Sequence, residues 1–281
     1  KMLEALLIGS IAFLLSVFLG KPIINLLIKY NVLKKVSAEI EKNHSSKTGT
    51  PTMGGIQILP SVLIITGLFN LENRLSILLP FFAIFTCLII GIMDDLRTTT
   101  LNATEGLSWK IKMLMLLILS SSIAIILHFQ LDVQSINVPI LGQIALDYYY
   151  LPIAILVVFL TTVSVAITDG LDGLLAGNAA IAFAAFAIIA FLQEQVYLAI
   201  FSFTMVGAIL GFLWYNAYPA KVFMGETGAL PIGVTLGIVS LMTGHWLLLP
   251  VIGIVFLLEA GSAVLQVCYF KFTNGKRIFK M

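Results

Sequence analysis

Five carboxylates stand where long apolar runs of this 281-residue chain give out. Asp94 and Asp95 close CLIIGIMDD, Asp169 and Asp172 lie in ITDGLDG, and Glu226 lies in NAYPAKVFMGETG. One acid at such a place reads most simply as an interfacial helix end. Five on three connections call for chemistry, because charge this close to hydrocarbon is costly unless hydrated, paired or metal-bound. Helical spacing would put Asp169 and Asp172 on one face. The neighbours Asp94 and Asp95 project about 100° apart on a helix and so take different tasks rather than chelating one ion together. All five are hard oxygen donors with no Cys/His cluster beside them, which selects Mg²⁺ or Mn²⁺ over zinc. A metal and carboxylates beside lysines suit phosphate chemistry, in which the metal neutralises charge on the transferring group.

Other residues add to this set or fall outside it. Thr50-Pro51-Thr52-Met53-Gly54-Gly55 opens an apolar run after a loop containing His44 and Lys47. Backbone N–H groups at such a helix start can hold phosphate oxygens; a Gly-Gly pair serves close helix packing in a membrane equally well. The three histidines form no metal set, since His44 sits in the first loop while His128 and His245 fall near the opposite face. Cys87 and Cys268, about 180 residues apart in apolar runs, read as small core hydrophobes rather than a disulfide or metal pair. Glu259, deep in an apolar run, is expected to pair with a polar group of another helix.

The elements that must position these residues are membrane helices. The chain is 59% hydrophobic and 11% charged, with mean hydropathy +1.05, against about 25% charged residues in a soluble domain. Nine runs, 3–28, 55–69, 76–93, 112–128, 148–168, 177–192, 196–214, 229–243 and 246–270, are candidate spans on the criterion of about 20 apolar residues. Two of them are short and bear Gly or Pro, which suggests tilt or shielding by neighbours. The first is too long, and too poor in basic residues before it, for a cleaved signal. The segment 129–147 alternates apolar and polar residues and predicts a small extracytoplasmic β-hairpin. Of the 16 Lys and Arg, 14 fall on one side, the side that carries the five acids. That side is therefore cytoplasmic and the N-terminus outside. The fold class is all-α, one polytopic membrane domain over 1–281. A net charge of +2 gives no case for nucleic acid, and the lack of an internal repeat weighs against a transporter.

The blocks KTGTPTMGG (47–55), MDD (93–95), GLSWKIK (106–112), TDGLDGL (168–174), NAYPAKVFMGETG (216–228) and LQVCYFKFTNGKRIFKM (265–281) resemble the polyprenyl-phosphate N-acetylhexosamine-1-phosphate transferases, over almost the whole chain. PTMGG with AYPAKVFMG is closer to the muramoyl-pentapeptide branch than to the GlcNAc-phosphate branch. The resemblance implies a bacterial plasma-membrane enzyme that moves phospho-MurNAc-pentapeptide from UDP to undecaprenyl phosphate. Its products are lipid I and UMP, its cofactor Mg²⁺, and a homodimer is compatible with it. Carried over by motif, Asp94 is the base for the lipid phosphate, with Asp95 beside it, and Asp169 lies at the catalytic centre as nucleophile or ligand. Glu226 takes the metal-ligand position with Asp169. Gly170, Leu171, Asp172 and Phe223 match the uridine pocket, where Phe223 offers a stacking face. Lys47, Thr52 and Lys112 match polar positions around the phosphates and sugar, and Asn216 and Gly225 fall in the same substrate-binding block.

The chain departs from the family pattern in three places. Val163-Ser164-Val165-Ala166-Ile167 replaces N-A-V-N-L before TDG, so two amide side chains are missing. Glu226 replaces an Asp and is one methylene longer. The family pattern continues past KRIF-x-M into a histidine-bearing loop and a tenth helix, which lie outside these 281 residues. The alternatives are the sister GlcNAc-1-phosphate transfer and a non-catalytic homologue serving as a binding or scaffold protein.

Overall fold

In the computed structural model, residues 1–33, 49–70, 75–99, 106–138, 142–273 and 278 are described. Lys47 and His44 lie outside them. The described chain is mostly helical: α1 Met2–Lys29, α2 Gly55–Phe69, α3 Leu75–Thr99, α4 Trp109–Phe129, α5 Tyr150–Ile167, α6 Leu174–Leu192, α7 Val196–Asn216, α8 Glu226–Met242 and α9 Ile254–Phe272. Seven of these are long and apolar enough to cross a membrane; α2 and α8 are apolar but shorter.

Burial explains how a short helix sits among long ones. Fifteen of the 17 residues of α8 are buried, packed against α3 on one side and α5 on the other, so α8 is covered by protein rather than lipid. At about 1.5 Å per residue its 17 residues reach about 26 Å. By contrast, only Phe256 of α9 is buried. The run 246–270 is not one helix. It breaks into a 3₁₀ turn Trp246–Leu248 and a single helical turn Leu249–Ile252, and α9 begins after Gly253.

The hairpin forms within the predicted segment, as β1 Ser135–Val138 paired antiparallel with β2 Gly142–Ala145, in register Ser135 to Ala145. Asn137 donates its N–H to the Gly244 carbonyl just past the end of α8. The hairpin therefore lies at the end of α8 opposite Glu226. The other eight helices also have an end on the Glu226 side: α1, α3, α5, α7 and α9 end there, and α2, α4 and α6 begin there. Lys29, Arg97, Lys110, Lys112, Lys221 and Lys271 sit at helix ends or loops of this same side. His128 and His245 fall at the hairpin end, where Nε2 of Gln193 lies 3.2 Å from His245 Nδ1.

Two expectations are corrected. Cys87 is buried but Cys268 is exposed, so only the first is a core residue. Glu259 is exposed on the face of α9, a helix that touches the bundle mainly through α5. The chain thus does not bury this acid against a partner helix.

Candidate active site

Asp94 and Asp95 occupy the last turns of α3 and are both buried, at 5% and 6% exposure. Adjacent residues on a helix point apart, and here they address different neighbours. Asp94 accepts the Leu107 N–H on Oδ1 at 2.9 Å and ion-pairs with Lys112 at 3.3 Å through Oδ2. Its carboxylate lies against Gly106, where an added Cβ would come within 2.8 Å of both oxygens. Asp95 accepts the N–H of Glu226 at 3.2 Å and of Thr227 at 3.0 Å, one on each oxygen. These are the first two amides of α8, which have no partner inside their own helix. Asp95 therefore caps α8 from another helix, with its charge at the positive end of the helix dipole.

Glu226, the first residue of α8, holds Lys112 Nζ at 2.8 Å through Oε1, while its Oε2 is buried with no hydrogen-bond partner. Gly91 lets α3 approach, since a Cβ there would meet the Glu226 carbonyl at 2.5 Å. Asp169 reaches the same place from the turn between α5 and α6, accepting the Gly225 N–H at 3.0 Å. Gly225 has φ +71°, a left-handed conformation that suits glycine, and a Cβ on it would come within 2.6 Å of Asp95 Oδ2 and 3.1 Å of Thr52 Oγ1. Asp94, Asp169 and Lys112 all act electrostatically on Glu226. Residues 56 to 132 positions apart in sequence thus meet at one cluster.

The segment 217–225, with its cis Tyr218–Pro219 bond, forms one wall. Asp172 accepts the Ala220 N–H at 3.1 Å. The Asn216 carboxamide accepts from Gly173 N–H at 3.0 Å and donates to the Val222 carbonyl at 2.9 Å, which clamps the start of α6 to this wall. Asp169 and Asp172 do not share a helix face, because 168–173 is a turn; both carboxylates bind amides of the same wall instead. Gly170 and Leu171 lie exposed on that turn, and a Cβ on Gly170 would meet nothing within 4 Å.

Two sequence expectations change. The Gly54 and Gly55 amides donate to the Phe223 and Met224 carbonyls at 2.8 and 3.0 Å, so they are not open to phosphate. A Cβ on Gly55 would strike the Gly228 backbone, and helix packing is the role they serve. Phe223 is only 7% exposed, held between Pro51 and Gly54 by its own backbone, and presents no open face to a base in this conformation. Thr52 is buried beside Gly225. Sequence reading missed Leu107 and Thr227, whose amides bind Asp94 and Asp95; Gly106 and the GETG run were the available signals.

Among the described residues no three His, Cys, Asp or Glu side chains are arranged to hold a metal ion. The donor set nonetheless suits a hard divalent cation: oxygen donors only, one of them, Glu226 Oε2, buried without a partner. What stands between Asp94 and Glu226 is the Lys112 ammonium.

The sequence profile of glycosyl transferase family 4 matches residues 77–244. The phospho-N-acetylmuramoyl-pentapeptide-transferase of Chloroflexus aurantiacus is 40% identical over 294 residues, covering 100% of this chain and 80% of the relative. That of Bacillus licheniformis is 39% identical, covering 100% and 88%, and that of Listeria monocytogenes 37% identical, covering 97% and 85%. The chain belongs to the phospho-N-acetylmuramoyl-pentapeptide-transferases of glycosyl transferase family 4. The transferase profile runs from α3 to just past α8 and so contains every acid of the cluster, together with the wall that Asn216 fastens.

Proposed function

We propose that the chain transfers phospho-MurNAc-pentapeptide from UDP-MurNAc-pentapeptide to undecaprenyl phosphate, giving lipid I and UMP for peptidoglycan synthesis. The observation that carries this reading is the convergence of Asp94, Asp169, Glu226 and Lys112 from four helix ends on one basin. A lipid phosphate oxygen attacks the sugar-bearing phosphorus of the diphosphate, a new P–O bond forms, and the bond to UMP breaks. Asp94, buried and oriented by Leu107, takes the proton of the lipid phosphate. Asp169 stands across the basin at the reacting phosphates. Lys112 offers positive charge to the diphosphate, and Asp95 acts through the backbone by setting the start of α8. Mg²⁺ is the cofactor of this reading. Glu226 and Asp169 would hold it, and its chemistry is to neutralise charge on the transferring group.

The lipid's route is the bilayer itself. A groove of about 200 Å³ lined by Leu160, Ser164, Trp246, Pro250, Phe256 and Leu257 runs beside α5, the helix whose C-terminal end leads into Asp169. Its almost wholly apolar lining suits a polyprenyl tail. The basin faces the cytoplasm of a bacterial plasma membrane and the N-terminus lies outside, because basic residues collect on the acid-bearing side; α2 and α8 complete nine crossings, and the hairpin is extracytoplasmic.

The test is transfer of radiolabel to undecaprenyl phosphate from UDP-MurNAc-pentapeptide and from UDP-GlcNAc, with Mg²⁺ and with EDTA. Product from the first donor alone, lost in EDTA, is expected. Transfer from UDP-GlcNAc alone would move the chain to the sister activity, and no UMP release from either would leave a non-catalytic homologue.

A further inference from the structure

Lys112 lies near the start of α4 and its ammonium joins two helix ends, Asp94 at 3.3 Å on α3 and Glu226 at 2.8 Å on α8. The side chain is 15% exposed. It is a compact point charge on a flexible four-carbon stem with three rotatable donors. It stands between the two carboxylates that a divalent cation in this basin would be drawn to, next to Glu226 Oε2, which is buried and has no hydrogen-bond partner. Two cations cannot share so small and poorly hydrated a space without strong repulsion. Removing the ammonium with nothing in its place would leave the buried Asp94 and the partly buried Glu226 facing each other as like charges. One cation or the other is therefore needed there.

We infer that Lys112 is a built-in counter-ion that holds Asp94 and Glu226 together until a divalent metal displaces it, and that its ammonium then swings free toward the diphosphate. This rests on the metal reading given above. It makes the lysine and the metal alternative occupants of one seat, so the metal binds more weakly than the same carboxylates would allow alone, and metal binding deploys a phosphate-binding cation in the same movement. Glu226 contributes directly, through the 2.8 Å pair that its Oε1 makes with the ammonium.

The test uses the whole chain in detergent, stripped of metal, with Mn²⁺ as the probe and free Mn²⁺ read by electron paramagnetic resonance. Lys112→Met keeps the stem and removes the charge, and should bind Mn²⁺ about tenfold tighter or more, since the like charge is gone. Lys112→Arg keeps a cation and should stay near the wild type. Lys112→Met should also melt at lower temperature in EDTA and recover with Mn²⁺, because only the metal can then separate the two acids. A measurement on the wild type is independent of whether that variant folds. Amine acylation followed by peptide mass spectrometry should find Lys112 protected in EDTA and labelled several-fold faster with Mg²⁺, with Lys110 unchanged as the internal control. Equal Mn²⁺ affinity in the wild type and Lys112→Met, or Lys112 labelling indifferent to Mg²⁺ in a protein that binds Mn²⁺, would overturn the counter-ion assignment alone. Absence of Mn²⁺ binding in both proteins would overturn the metal reading and this inference with it.

Discussion

Replacing Asp95 by Ala isolates the cap on α8. The carboxylate is 6% exposed and takes the Glu226 and Thr227 amides at 3.2 and 3.0 Å, and Ala leaves both donors buried with nothing to accept them. An unsatisfied buried donor costs about 1–3 kcal/mol and a lost cap about 0.5–2 kcal/mol. The cap is these same two hydrogen bonds, so with two donors left unpaired the loss comes to about 2–6 kcal/mol. At about 2–4 °C per kcal/mol, the melting temperature should fall on the order of 10 °C. Asp95→Asn keeps the shape and one acceptor oxygen, so it should lose about half as much. The assay is thermal unfolding in detergent, paired with amide exchange over residues 225–229. Exchange should accelerate there first, because a frayed α8 start frees Gly225 and Glu226 together. Turnover should drop in step, since Glu226 and the Gly225 contact to Asp169 move with that backbone. Unchanged melting and unchanged exchange in Asp95→Ala would refute the capping role. Lost turnover at full stability would return Asp95 to the chemistry itself.

Gly225→Ala should lose at least about 1–2 kcal/mol from its positive φ alone, more because the Cβ meets Asp95 Oδ2 at 2.6 Å, and melting with UMP release would register both. Phe223→Ala should lower stability by about 3–5 kcal/mol, as truncating a buried aromatic does, with the UDP-sugar Kd from calorimetry unchanged, because the 7%-exposed ring packs into the wall; weakened binding at full stability would show instead that the ring stacks on uracil. Asn216→Ala removes both ends of the clamp to Gly173 and Val222, and should cost about 2–4 kcal/mol as a buried donor and acceptor lose their partner, read by urea or thermal unfolding.

Hydropathy made the helices legible because lipid contact leaves long apolar runs, and the structure keeps helices over the first eight runs within a few residues. The ninth run hid its break, since Trp246–Ile252 is as apolar as a helix and only Gly253 marks the turn. The 100° angle between Asp94 and Asp95 was enough to separate their roles, because helix geometry is local. The partners were not legible. Asp95 meets an amide 132 residues away and Lys112 an acid 114 residues away, and nothing local encodes either pairing. The same limit explains Gly54 and Gly55: a helix start rich in glycine looks open to phosphate until a distant strand of backbone, 223–224, is seen to take its amides. Asp169 and Asp172 looked like one helix face because DGLDG permits either a helix or a turn, and Gly173 at φ +76° decides for the turn.

Everything in the proposed reaction depends on Asp94, Asp169 and Glu226 acting in one basin on one diphosphate. UMP release from UDP-MurNAc-pentapeptide in the presence of undecaprenyl phosphate, by Asp169→Asn purified at wild-type stability, tests it most directly. Asp169→Asn should lose turnover with the bundle intact; wild-type-like release would place Asp169 outside the reaction.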